Sequence, residues 1–164
     1  MASFDKGHME SLFVKKINDI ISKIVGKSVK TTITERGSYY TISEPNIPGW
    51  GWSGCNTIRF SITDETTGYT ICDFFLSTFP GCCGIMISHN TYVDPIYRKK
   101  GISKILQTLK EEIAIETGFS LLLAVDLENS ISKDFLPKFK WYEIGKRFKN
   151  KRSGNELLLF AKNV

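Results

Sequence analysis

The 164-residue chain has no long hydrophobic run, because no apolar stretch approaches the roughly 20 residues that span a bilayer. Its first residues, MASFDKGHM, also lack the apolar centre of a secretion signal. These absences argue against a membrane or secreted protein and predict a cytoplasmic one. We interpret residues 1–8 as a flexible leader or tag and residues 9–164 as a single domain.

Cysteine and histidine are scarce. The four cysteines form no Cys-x-x-Cys pair, and the two histidines do not complete a zinc pattern. The neighbours Cys82 and Cys83 would point to opposite faces of a strand, which disfavours a bridge between them. The sequence therefore predicts no metal, and free buried thiols in a reducing compartment.

The charge excess is small, with 22 Lys and Arg against 17 Asp and Glu, a net charge of +5. Much of the positive charge lies in residues 97–100 and 145–152. This balance suits an anionic ligand, but it is too weak to indicate nucleic-acid binding, which we do not expect. The second basic segment is most simply a solvated hairpin turn, although steering of an anionic ligand is an alternative.

The spacing of apolar residues predicts the secondary structure. Helical spacing covers residues 9–25, which Gly26 would end, and residues 101–117, which Gly118 would end. A short helix is predicted at residues 132–139, with Pro137 inside it. Strands are predicted at 28–34, 38–43, 57–63, 69–77, 82–93, 120–127, 141–148 and 155–162. The strands on either side of the second long helix should pair in parallel through a right-handed crossover. This predicts one α+β domain with a mixed, mostly antiparallel sheet.

A basic run precedes that helix. Arg98, Lys99 and Lys100 stand directly before Gly101, where a helix N-terminus offers unpaired N–H groups and a glycine allows close approach. The run could be a solvated turn, a nucleic-acid patch or a cradle for a phosphorylated ligand. It matches neither a Walker loop nor a dinucleotide fingerprint.

Residues 98–103, RKKGIS, resemble the acetyl-CoA loop of GNAT-type N-acetyltransferases, Arg/Gln-x-x-Gly-x-Gly/Ala, except that Ser103 replaces the last small residue. The sequence Val-Asp-Pro at residues 93–95 stands where that family has Val-x-Pro. A long helix, an apolar strand and Asn129 follow in the family's order. The resemblance covers roughly residues 82–150.

The resemblance implies a wedge-shaped fold in which the two central parallel strands splay and the pantetheine arm of acetyl-CoA lies between them. The pyrophosphate would rest on the amides of residues 98–103, and an N–H near Val93 would stabilise the oxyanion. Asn129 would contact the cofactor, or it could only cap the helix that follows. The implied cofactor contacts are Tyr92, Val93, Arg98, Lys99, Lys100, Gly101, Ile102, Ser103 and Asn129.

The implied chemistry needs a base and an acid. His89 is the candidate base, since some family members carry histidine there, whereas others use a Glu at the position of Ile87. The Tyr that often protonates the departing thiolate falls on Leu136. Tyr142, Tyr92 or a water could replace it, and Tyr142 is our candidate.

The acceptor is expected to bind to the N-terminal half. Trp50 and Trp52, in PGWGWSGC, could form an aromatic wall with Tyr40, or only the lid of a compact loop. Asp126 could hold a cationic amine. The predicted function is acetyl transfer from acetyl-CoA to a primary amine of a small molecule or protein. The alternative is a catalytically weak GNAT-fold binding module; a homodimer is left open.

Overall fold

A computed structural model describes residues 2–38, 55–79, 84–127 and 131–164, which contain a seven-stranded sheet and three α-helices. The strand order is β1-β2-β3-β4-β5-β7-β6, and only β4 and β5 pair in parallel. The elements are α1 (Lys6–Val25), β1 (Val29–Ser38), β2 (Cys55–Asp64), β3 (Thr70–Thr78), β4 (Ile85–Val93), α2 (Ile102–Glu116), β5 (Leu121–Leu127), α3 (Ile131–Phe135), β6 (Tyr142–Lys149) and β7 (Glu156–Asn163). The predicted mixed, mostly antiparallel sheet is confirmed, while most of the predicted strand at 38–43 lies outside the described residues.

The two parallel strands separate soon after they begin. β4 and β5 pair only from Ile85 opposite Leu121 to Ile87 opposite Leu123. Beyond that point β4 continues to Val93 and β5 to Leu127 without pairing to each other. The predicted divergence of the central strands is therefore present, and it opens a gap at their C-terminal ends.

A β-bulge interrupts β4 beside this gap. Tyr92 pairs with Asp73 and His89 pairs with Phe75, so β4 has one residue more than β3 between these pairs. Asn90, inside the bulge, has φ 51°. Such an extra residue breaks the alternation of side chains along a strand.

The bulge decides which β4 side chains face the helices. Thr91 accepts a hydrogen bond from Lys110 of α2, and Val93 is buried in the core. His89 and Tyr92, by contrast, lie beside β3 residues of the opposite face. The bulge thus places a histidine and a tyrosine on the open face while keeping the strand end packed against the helices.

The core lies between the sheet and the apolar stripes of α1 and α2. Phe60 and Phe74 stack there with ring centres 4.7 Å apart. Two neighbouring aromatic residues do not belong to this core: Phe75 lies on the other face of β3, and Phe79 is 43% exposed. The core side chains of the two helices are Met9, Phe13, Ile17, Ile21, Ile102, Leu106, Leu109 and Ile113. None of the helices within the described ranges is long and apolar enough to cross a membrane.

Helix α1 begins inside the segment that the sequence suggested is a leader. Asp5 is its N-cap, and its carboxylate accepts a hydrogen bond from the His8 N–H at 3.0 Å. Met9, one turn later, is fully buried. Gly26 ends the helix with φ 69°, as predicted. The domain boundary at residue 9 stays a prediction, but the cap that stabilises the helix lies before it.

The capping role of Asp5 predicts a stability loss. Asp5→Ala removes an N-cap, which costs about 1 kcal/mol. For a domain of this size we therefore expect the melting temperature to fall by about 2–4 °C. Thermal unfolding followed by circular dichroism measures the change, with Asp19→Ala, in the middle of α1, as the control. An unchanged melting temperature would show that the Asp5 cap does not stabilise the protein.

Candidate active site

A cleft of about 510 Å³ lies where β4 and β5 diverge. The strands form its two sides, and α2 and α3 close it. Its lining consists of Ser88 to Val93 on β4, Ala124 to Asp126 on β5, Ser103, Gln107 and Lys110 on α2, Arg98 before α2, and Ile131, Ser132, Phe135 and Leu136. The cleft lies at the C-terminal ends of parallel strands, where α/β units bind ligands.

A smaller pocket of about 270 Å³ adjoins the start of α2. Gly101, the N-cap, has φ 84° and provides no side-chain acceptor for the first-turn N–H groups. A Cβ at Gly101 would meet no atom within 4 Å, so the space above the backbone is open. Lys99 also has a positive φ, 62°. Unpaired amides, a helix dipole and open space together fit a phosphate group.

The cations of the basic run have different partners. The Nε of Arg98 donates to the Val93 carbonyl at 2.9 Å, which ties the loop to the end of β4. The ammonium of Lys100 lies 5.6 Å from the centre of the Tyr97 ring. Lys99 lines the smaller pocket together with Arg98, whereas Lys100 lines neither pocket. The loop is therefore held by its own side chains.

The backbone N–H group of Val93 points toward the cleft. The Asp94 N–H donates to the Ile71 carbonyl at 2.9 Å, so this N–H faces β3. Because successive N–H groups of a regular strand point to opposite sides, that of Val93 is directed away from β3, toward the cleft. It could stabilise an oxyanion there.

Solved structures share this fold. A GNAT-family protein from Desulfovibrio desulfuricans aligns with TM-score 0.58 and 14% identity over 65% of this chain and 69% of its own. The IAA acetyltransferase from Bacillus cereus aligns with TM-score 0.52 and 16% identity over 66% and 78%. A protein from Agrobacterium tumefaciens aligns over 100% and 97%, with TM-score 0.54 and 12% identity. No family model and no curated protein matches the sequence. The chain has the fold of the GNAT acetyltransferases.

His89 lies where the GNAT resemblance placed a base. Its Nε2 is 2.7 Å from the Ser77 hydroxyl, which is 2.8 Å from the Thr57 hydroxyl. Burial, and secondarily the positive charge of Lys110, lower the pKa of His89. The ring is therefore neutral at neutral pH. In the tautomer that donates from Nε2 to Ser77, Nδ1 is free to accept a proton.

The two candidate acids lie in different places on the GNAT fold. Tyr92 lines the cleft, and its hydroxyl is 3.4 Å from an Asp94 carboxylate oxygen. Burial and the Asp94 charge raise the pKa of Tyr92, so the phenol keeps its proton. Tyr142 is on β6, where its hydroxyl donates to Asn163 at 3.1 Å, and it does not line the cleft. Of the two tyrosines, the structure brings only Tyr92 to the site.

Sequence reasoning missed two cleft residues on α2. Gln107 and Lys110 are buried, and the Lys110 ammonium donates to the Thr91 hydroxyl at 2.6 Å. Burial lowers the pKa of Lys110 to about 7. Ser103, Gln107 and Lys110 are spaced at i, i+4 and i+7, so the sequence could have shown that they share one face of the helix. Such a polar stripe ordinarily faces solvent, but here it faces the gap between β4 and β5.

The other predicted site residues fall into three groups. Asp126 lies on the β5 side of the cleft. Ile102 is buried at the start of α2 and is one of the residues that line the smaller pocket. The remaining predictions lie outside the described residues: Tyr40, Trp50, Trp52 and Asn129. Across the described ranges, no three His, Cys, Asp or Glu side chains group as a metal site would require.

Proposed function

We propose that this protein is an N-acetyltransferase that moves the acetyl group of acetyl-CoA directly to a primary amine. The observation that carries the proposal is the separation of β4 from β5 after three residue pairs, with the start of α2 beside the gap. An extended arm with a phosphate-bearing end needs both features. The GNAT fold of the chain supports the same conclusion.

The residues present fit acetyl-CoA. The amides of residues 98–103 and the open space above Gly101 would hold the pyrophosphate, and Arg98 fixes the loop. The diverging strands offer unpaired backbone groups to the pantetheine amides. Asn129 would contact the cofactor. When bound, acetyl-CoA supplies the activated acetyl thioester.

The side chains of the open sheet face would perform the proton transfers. A lysine-like amine has a pKa near 10, so it must lose a proton before it attacks. His89 takes this proton on Nδ1, while the N–H group of Val93 stabilises the oxyanion. Tyr92 gives its proton to the departing thiolate, a role for which Tyr142 remains the second candidate. Holding amine and thioester in line provides much of the acceleration.

We propose that the amine is held by one carboxylate and by aromatic side chains. Asp126 would attract an ammonium group from β5, and Tyr40, Trp50 and Trp52 would form the aromatic part of the acceptor site. The buried free thiol of Cys72 is consistent with a reducing compartment, which supports a cytoplasmic location. Acetyl-CoA and the amine are the expected partners, and a homodimer is compatible with this scheme.

A direct test combines binding and turnover. Isothermal titration measures acetyl-CoA affinity, and a thiol-release assay then measures transfer to a panel of amines. Binding together with amine-dependent release supports the enzyme. Tight binding without release for any amine favours the binding module, an alternative that the apolar Leu136 in the cleft keeps open. Affinity for nucleic acid that collapses with salt, with CoA a poor competitor, would contradict both.

A further inference from the structure

Lys110 is a buried amine that has no ion-pair partner among the described residues. Its side chain is 1% exposed, and its Nζ donates to the Thr91 hydroxyl and lies 5.7 Å from the centre of the Phe74 ring. No carboxylate of the described residues forms an ion pair with it. An ammonium has three donors, so two remain available. Because an uncompensated buried charge is costly, proteins normally pair it.

Gln107 is unsatisfied in the same place. It is 5% exposed, and its Oε1 has no hydrogen-bond partner among the described residues. It lies three residues before Lys110 on α2, so the two side chains are neighbours, and both line the cleft. The two ends of an amide exchange by a half-turn, so Gln107 can offer a donor or an acceptor.

A second buried lysine shows the contrast. Lys162 on β7 is 8% exposed, but its ammonium pairs with Glu111 and donates to the Phe139 carbonyl at 2.6 Å. Lys162 does not line the cleft. Of these two buried lysines, Lys110 lines the cleft and has no carboxylate partner among the described residues, whereas Lys162 lies outside the cleft and is paired.

We next consider whether the other charged and titratable groups that line the cleft pair with Lys110. His89 and Tyr92 lie on β4, Arg98 lies in the loop before α2, and Asp126 lies on β5. None of them hydrogen-bonds or pairs with the ammonium of Lys110. Three of the four are neutral or cationic at neutral pH, so the β4 and α2 sides of the cleft favour an anion.

We propose that Lys110, with Gln107, binds a carboxylate carried by the substrate in this cleft, and that the protein accepts, besides acetyl-CoA, a dicarboxylic acyl-CoA whose acyl chain ends in this carboxylate. The proposal rests on the proposed function, in which the cleft holds a CoA thioester. The Thr91 hydroxyl holds Lys110, and Thr91 lines the cleft two residues before Val93, whose N–H would bind the thioester carbonyl. The part of the ligand within reach of Lys110 is therefore the acyl chain just beyond that carbonyl.

The first experiment compares acyl chains of similar length that differ in charge. Succinyl-CoA and butyryl-CoA are titrated into the wild-type protein and assayed for transfer to the same amine. We expect succinyl-CoA to be favoured by about ten- to a hundredfold in affinity and kcat/KM, the effect of one hydrogen bond to a charged group. Lys110→Met should abolish that ratio while butyryl-CoA still binds. Lys162→Met, which removes a buried lysine outside the cleft, should keep the ratio.

Gln107→Glu provides an independent test. The new carboxylate would lie one turn from Lys110 and would compete with that of the ligand. We expect this variant to lose the preference for succinyl-CoA with little change in butyryl-CoA binding. Folding is checked by thermal unfolding. Because the pKa of Lys110 is about 7 in the folded protein and 10.5 in the unfolded chain, wild-type stability rises between these pH values. Lys110→Met should lack that rise, which confirms that the buried amine has been removed.

The outcomes distinguish a carboxylate on the acyl chain from one on the acceptor, and both from the absence of a carboxylate site. Succinyl-CoA can show no advantage while amino-acid acceptors react better than amines that lack a carboxylate. If Lys110→Met removes this preference for amino acids, the Lys110 site binds the carboxylate of the acceptor instead. If neither substrate shows a preference that depends on Lys110, the carboxylate proposal is overturned while the acetyltransferase proposal stands. If no acyl-CoA binds at all, the proposed function itself is wrong, and this inference falls with it.

Discussion

Gly101→Glu should abolish acetyl-CoA binding without unfolding the protein. The substitution places a carboxylate in the open space above the start of α2, where the pyrophosphate is proposed to bind. Juxtaposed like charges cost several kcal/mol, so affinity should fall by at least about a hundredfold. Isothermal titration with acetyl-CoA measures this loss of affinity. The affinity for CoA, which has the same pyrophosphate, should fall in parallel.

Gly154→Glu is the matched control for this change. Gly154 has φ 74° in the turn between β6 and β7, and, as at Gly101, a Cβ there would meet no atom within 4 Å. Both variants therefore add the same charge and similar backbone strain, about 1–2 kcal/mol for a left-handed residue. Only Gly101→Glu should affect binding. Normal acetyl-CoA affinity in Gly101→Glu would refute the assignment of residues 98–103 as the pyrophosphate loop and, with it, the proposed function.

The elements that frame the cleft were predictable because their signals are local. The apolar stripes of α1 and α2 and the continuous apolar run of β5 need only the near neighbours of each residue. Gly26, Gly101 and Gly118 all have positive φ values, and they stand at the helix boundaries that the sequence predicted. The parallel pairing of β4 with β5 then follows from the strand-helix-strand order.

The bulge at Asn90 was not predictable in this way. Strict alternation from His89 would place Thr91 on the same face, whereas the structure directs Thr91 toward α2. A bulge inserts a single residue, and its position depends on the register with β3 rather than on the sequence of β4 alone. The orientation of the catalytic candidates therefore required the sheet.

The polar face of α2 shows a second limit. Gln107 and Lys110 have the spacing of a solvated stripe, and most lysines are exposed. Their burial follows from the separation of β4 and β5, which leaves the sheet open above one face of α2. A sequence pattern reports which residues share a helix face, but not whether that face meets water or a ligand cleft.

His89→Ala should lower kcat/KM by about a hundredfold or more, the usual contribution of a general base. Acetyl-CoA affinity should be unchanged, because the ring lies on the open sheet face rather than at the pyrophosphate loop. The chain contains one other histidine, His8, which is exposed at the start of α1. His8→Ala is therefore the control and should leave turnover intact.

The pH dependence of the wild-type protein identifies the base more sharply. Because the pKa of His89 is lowered from 6.5, the ring stays neutral to a lower pH than an exposed histidine. We expect kcat/KM to fall on the acid side only as pH drops through this lowered pKa, where protonation removes the base. In Lys110→Met the acid limb should shift up toward 6.5, since the positive charge of Lys110 is one of the causes of the lowering. In His89→Ala the limb should disappear. If it survives there unchanged, another group accepts the proton from the amine, and His89 is only a structural partner of Ser77.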